Sequence, residues 1–340
     1  MVISILRRLI FCLIASLFIT LKGFCFENKK TSFALSHYIL AVMYEDLGET
    51  QKAIQEYKKA LKADYKNSII HLNLASSYIK DNQIQKAIAE LNLAVEFDPE
   101  AIEPHAVLAL LYSSQKQEPL ATKEYEIALQ NASKLQPANI EIYKNLGTLY
   151  LQQKKFKEAE DTYRLILKLS PLDPEPHFYL ANIYDELKQR EKTIEELKKA
   201  LEIKPDYHEA LNYLGYLYVE ENKNLDQAEV LIKKALEFEP DNGAYIDSLG
   251  WVYFKKGKFK EALKELERAS GLLEDPVIFD HLGDTYLKIG DIEKAKVSWQ
   301  KSLELDPKQD KIKKKIEQLM TNDKIQIPNE IPNPNDKYQN

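Results

Sequence analysis

Imidazole, thiolate and paired carboxylates are the groups from which most active sites are assembled. This 340-residue chain offers six histidines, two cysteines and 53 acidic side chains for that purpose. Four of the histidines, His37, His71, His105 and His177, stand at the same point of a spacing of about 34 residues. Equivalent points on neighbouring helical units lie about 8 to 10 Å apart, whereas zinc holds its ligands near 2 Å. The series therefore implies a structural role and no shared metal. His208 and His281 have neither a cysteine nor a suitably spaced second histidine nearby. Cys12 and Cys25 both fall in the apolar beginning of the chain, so the remainder has no disulfide and no thiol ligand set. Acidic pairs such as Glu195 and Glu196 lie beside Lys198 and Lys199 at helical spacing and read as surface ion pairs. There is no Gly-x-Ser-x-Gly elbow, Walker loop, Gly-x-Gly-x-x-Gly turn or His-Glu-x-x-His helix. Neither catalysis nor a metal nor a cofactor is expected, and Asn131-Ala132-Ser133 is a lone glycosylation triplet.

The spacing that places the histidines governs the whole chain. Tyr44, Tyr78, Tyr112, Tyr150, Tyr184, Tyr218, Tyr253 and Tyr286 recur at about 34 residues. Three residues before each stands a small residue, Ala41, Ala75, Ala109, Gly147, Ala181, Gly215, Gly250 or Gly283, and one before that is always Leu. A second small position follows the tyrosine at Ala53, Ala87, Ala121, Ala159, Thr193, Ala228, Ala262 and Ala295. Prolines 99, 137, 171, 205, 240 and 307 close the units. Ala or Gly at a helix crossing lets two backbones approach, while Leu and Tyr fill the space beside it. Gly48, Asn82, Asn222, Gly257 and Gly290 fall at the predicted turn, where a left-handed residue is needed. Only 10 glycines and a mix rich in Ala, Leu, Lys and Glu agree with an all-helical chain.

This pattern resembles that of the tetratricopeptide repeat family. The resemblance covers residues 34–309 in eight units, 34–67, 68–101, 102–139, 140–173, 174–207, 208–242, 243–275 and 276–309. It implies an all-α solenoid of helix-turn-helix units wound as a right-handed superhelix. The third unit carries four extra residues before Pro137 and the sixth one extra between Glu220 and Leu225. A capping helix is expected over 310–320, a disordered tail over 321–340 and a short lead-in over 26–33.

Residues 1–25 read as an export signal: Arg7 and Arg8 precede the apolar run Leu9 to Leu21, which is short of the roughly 20 residues of a membrane span. The expected location is the periplasm or cell envelope, with a retained N-terminal anchor or lipidation at Cys25 as the alternatives. The net charge of −6 argues against nucleic acid. The resemblance puts the first helix of each unit on the concave side, with positions 2, 5, 9 and 12 facing inward. In the later units these are Phe178, Asn182, Asn212, Tyr216, Asp247, Trp251, Phe254, Asp280 and Asp284. Flat aromatic surface among amides and carboxylates is the composition of a protein-binding hot spot. The expected partner is a polypeptide of basic and apolar character. The stretch 212–288 is similar to a subset of bacterial envelope tetratricopeptide proteins, which implies an adaptor that recruits a periplasmic protease or assembly factor. The alternatives are a membrane-tethered assembly scaffold and an accessory subunit of an envelope enzyme or carbohydrate-processing system.

Overall fold

The structure, a computed structural model, describes residues 29–321. The predicted signal over 1–25 and nearly all of the predicted tail lie outside the described residues. Among the described residues every regular element is helical. Residues 29–33, expected as a lead-in, belong instead to the first helix, α1, which runs over 29–46. The chain divides into two compact units, Met1–Leu169 and Ser170–Asn340.

The first unit contains α1, α2 (Thr50–Ala63), α3 (Ser68–Lys80), α4 (Ile84–Phe97), α5 (Ile102–Ser114), α6 (Glu118–Leu135), α7 (Ile140–Gln152) and α8 (Phe156–Leu169). Consecutive helices pair as hairpins, and each hairpin packs on the next through its second helix. Ala41, Ala53, Ala75 and Ala87 are wholly or almost wholly buried at the crossings, with Tyr57, Leu74, Tyr78 and Leu91 packed around them. The four additional residues of the third repeat lengthen α6 to 18 residues, one turn beyond the 14 of α4 and α8. Within that turn Asn131 is buried and its Nδ2 donates to the Pro99 carbonyl at 2.9 Å, so the glycosylation triplet is closed off.

The second unit contains α9 (Glu175–Glu186), α10 (Arg190–Ile203), α11 (His208–Glu220), α12 (Leu225–Phe238), α13 (Gly243–Lys255), α14 (Phe259–Leu272), α15 (Pro276–Ile289), α16 (Ile292–Leu305) and α17 (Asp310–Thr321). Here Ala181 serves the first crossing and Gly215, Gly250 and Gly283 the other three, each glycine facing a large side chain. A Cβ at Gly215 would lie 2.6 Å from Ile232, and one at Gly283 would run into the Trp299 indole. The extra residue of the sixth repeat is absorbed by Asn224, which adopts φ 50° directly before α12. The helix α17 covers the last hairpin with Ile312 and Ile316, both buried against Trp299 and Tyr286.

Every hairpin turn holds one residue of positive φ at its fifteenth position. Gly48, Asn82, Asn222, Gly257 and Gly290 fill it as the sequence suggests, but Lys116, Lys154 and Lys188 fill it in the three middle repeats. A non-glycine residue there costs about 1 to 2 kcal/mol, which the packing of the flanking helices overrides. Lys154→Gly is expected to stabilise the protein by up to about 1 kcal/mol, and Gly283→Ala to destabilise it by about 1 to 3 kcal/mol through collision with Trp299. Urea midpoints check both; a Gly283→Ala protein as stable as wild type contradicts the crossing geometry.

Candidate functional site

The recurring histidines are half of a two-residue clip. His37, His71, His105 and His177 each bring Nδ1 to a carboxylate 19 residues ahead, on Glu56, Glu90, Glu124 and Glu196, at 2.5 to 2.7 Å. The pair ties the first helix of the repeat to the second. The other ring nitrogen reaches back six residues to the inter-repeat loop: His71 Nε2 meets the Tyr65 carbonyl at 2.7 Å and His105 Nε2 the Pro99 carbonyl at 3.3 Å. In the fourth repeat Tyr143 takes the position and donates its hydroxyl to the Pro137 carbonyl at 3.2 Å. With acceptors on both sides, His71 must carry a proton on each nitrogen. Burial works against that charged ring, but Glu90 and the Tyr65 carbonyl more than offset it, and the pKa of His71 is raised above its ordinary 6.5. The clip was legible as a glutamate 19 residues after each histidine.

The inner helices of the second unit carry the nine residues expected to bind a partner. Phe178 packs on Tyr207 and Tyr213 with ring centroids 5.3 and 6.2 Å away. Tyr213 donates to Asp185 at 2.8 Å, and Arg190 pairs with the same carboxylate at 3.0 Å. Asn182, Asn212 and Tyr216 are half-buried beside them, and the Asn212 Oδ1 is buried without a donor. Burial, with the charges of Glu220 and Asp247 close by, holds the Tyr216 hydroxyl well above the usual phenol range.

Trp251 is not the open platform expected of it. It is 7% exposed, stacked between Phe254 at 4.5 Å and His281 at 3.9 Å, while its Nε1 donates to exposed Glu220 at 3.0 Å. Asp247 is also buried and receives His281 Nδ1 at 2.9 Å. Burial opposes charge on this imidazole too, and Asp247 reverses the balance, so the His281 pKa is raised. No sequence pattern signals this contact, because the two residues lie 34 apart on helices of different repeats.

Asp280 and Asp284 were expected to attract a partner's cation, and a cation of the chain itself already lies there. Lys315 of α17 reaches both carboxylates, at 2.5 and 2.6 Å, and its Nζ sits over the Trp299 ring at 5.5 Å. Burial nevertheless raises the Asp284 pKa, with Lys315 opposing. A cavity of about 310 Å³ opens beside this ion pair, lined by Phe254, Asp284, Leu287, Trp299, Lys315 and Leu319 among others. Of the nine residues, then, Phe178, Asn182, Asn212, Tyr216 and Phe254 remain half-buried, whereas Asp247, Trp251, Asp280 and Asp284 are held by hydrogen bonds or ion pairs within the chain. Because aspartate and tryptophan are as suited to packing within a repeat as to binding, sequence position alone did not separate the two groups.

Matches to family models described as tetratricopeptide repeat run over 45–111, 119–174, 186–250, 245–272 and 278–309, most of the chain. With eight helical hairpins packed through small-residue crossings, the chain belongs to the tetratricopeptide repeat family. Members of this family are as a rule non-catalytic scaffolds, and the fold is one that mediates protein–protein interaction. Among curated relatives, a member of the BBSome complex, BBS4 of Mus musculus, is 36% identical over 89 residues, 26% of this chain and 17% of that protein. The chain thus spans about a sixth of the length of that relative. Among solved structures, the hetero-tetramer Cut9–Hcn1 of the APC/C matches with a TM-score of 0.55 at 16% identity, over 79% of this chain and 52% of that one. A thermophilic tetratricopeptide protein of Thermus thermophilus is 23% identical with a TM-score of 0.45, over 54% of this chain and 99% of its own. These structural likenesses concern the fold.

A histidine whose folded pKa is raised stabilises the protein fully below its unfolded value near 6.5 and loses that contribution as pH rises through the folded value. His71 and His281 act in the same direction. Stability is therefore expected to fall as pH rises above about 6.5, and Glu90→Gln to remove roughly 1 to 3 kcal/mol at pH 6 while flattening that fall. Urea melts across the range measure it; identical pH profiles for wild type and variant would mean that the clip carries no charge.

Proposed function

We propose that this protein is a non-catalytic scaffold that works outside the cytoplasm and holds a partner polypeptide against the inner helices α9, α11 and α13 of its second unit. The observation that carries this reading is the half-buried series Phe178, Asn182, Asn212, Tyr216 and Phe254, which combines aromatic faces with amide groups. Such surfaces desolvate well and orient a bound backbone through hydrogen bonds. Exposed Glu220, beside the Trp251 indole, gives the surface a negative edge and favours a segment of apolar residues interspersed with Lys or Arg. The BBSome member and the Cut9–Hcn1 chain are by name parts of multi-protein assemblies, which agrees with a scaffold. Export rests on the arginines and apolar run of residues 1–25. Among the described residues no helix is long and apolar enough to cross a membrane. In the envelope the bound partner would be a protease or assembly factor brought to its site of action.

A photo-crosslinking residue placed at Tyr216 is expected to capture a partner in living cells, while one at the exposed Val230 of α12 captures none. Glu220→Lys is expected to weaken that capture on the order of tenfold. Equal labelling at the two sites would remove the inner surface from consideration.

A further inference from the structure

Seven of the eight repeats bury the leucine at their seventh position to between 0 and 7% exposure, from Leu74 to Leu282. In the first repeat the equivalent Leu40 is 41% exposed. Within each unit the packing gives the reason: the leucines on α3, α5, α7, α11, α13 and α15 sit on helices that the preceding hairpin covers, whereas α1 is the first described helix. End repeats of solenoids ordinarily turn a polar face outward for this reason, as Lys313 and Lys314 do on α17. The α1 face is apolar instead. Leu35, Ile39 and Met43 follow one another at intervals of four residues, Leu47 continues beside them, and these four are 50 to 69% exposed. A continuous apolar strip of this kind marks an interaction surface.

We propose that α1 is a dimerisation surface whose occupant is α1 of a second copy of this chain, laid antiparallel across it about a two-fold axis. Such an interface must be complementary to itself. The strip meets that condition, because leucine, isoleucine and methionine side chains on an exposed helix interdigitate with their own kind. Its ends decide the direction. Lys29 and Asp46, both exposed, flank the strip at opposite ends of the helix, so antiparallel pairing brings each cation toward the other copy's anion. Parallel pairing would set like charges together. The surface belongs to the first unit and owes nothing to the inner helices of the second.

The test is sedimentation equilibrium on the full chain, exported by its own leader and purified with whatever N-terminus it then retains. A concentration-dependent dimer is expected for wild type. Ile39→Glu with Met43→Glu is expected to weaken it by about 100-fold or more, since two unpaired carboxylates would be buried in each half, while circular dichroism shows unchanged helicity. Val230→Glu, on an exposed point of α12, leaves the dimer intact. Lys29→Glu weakens dimerisation and the added Asp46→Lys restores it, because the exchanged charges again oppose each other. A wild-type protein that stays monomeric at every concentration overturns the proposal and assigns the strip to residues 1–28 or to a different polypeptide. A dimer untouched by the paired glutamates overturns it as well.

Discussion

The close approach of two helices at a single small residue is the constraint on which the rest of this protein depends. At Gly147, Gly215, Gly250 and Gly283 even one methyl group would meet the opposing side chain, and the opposing residue in each case is large: Tyr163, Ile232, Leu266 and Trp299. One helix yields volume at the crossing and the other supplies it. A hairpin of two helices of 12 to 18 residues cannot hold such a crossing by itself, since helices of this length are marginal in water. It becomes stable when its remaining apolar face is covered by the next hairpin. The same requirement makes the ends of the array different from its middle: α17 covers one end with two isoleucines and presents lysines outward, and α1 leaves its leucine position open.

Electrostatics reinforces this packing at one repeated place. In the second and third repeats the histidine at position four, His71 or His105, spans three pieces of backbone: its own helix, the second helix through glutamate, and the loop from the preceding repeat through a carbonyl. At His71 the two acceptors together offset the burial that opposes a charged ring. In the fourth repeat a tyrosine hydroxyl keeps the loop contact, and in the last three repeats Leu211, Ile246 and Phe279 replace the histidine with apolar packing.

The second unit fills its inner surface with its own side chains. Trp251, His281 and Phe254 form a three-ring stack, and Lys315 bridges the two aspartates of the last repeat. The partner surface proposed above is thereby confined to Phe178, Tyr216 and Phe254, with Glu220 exposed nearby. The surface is therefore smaller and less acidic than the composition of those positions suggests, and it is held rigid by the internal contacts beneath it.

The family, the all-helical fold and the residues of the crossings were written in the sequence, because each repeat solves the same packing problem with the same side chains at the same spacing. Even the clip glutamates follow this rule. What the sequence did not contain were the contacts made between repeats by side chains that occur only once: Asp247 with His281, Trp251 with Glu220, and Lys315 with Asp280 and Asp284. A period reports what every unit shares, and it is silent about a pair that forms only because two helices 30 or more residues apart happen to present complementary groups. The exposure of Leu40 belongs to the same class. Its residue type matches its seven equivalents, and its place in the first repeat sets it apart.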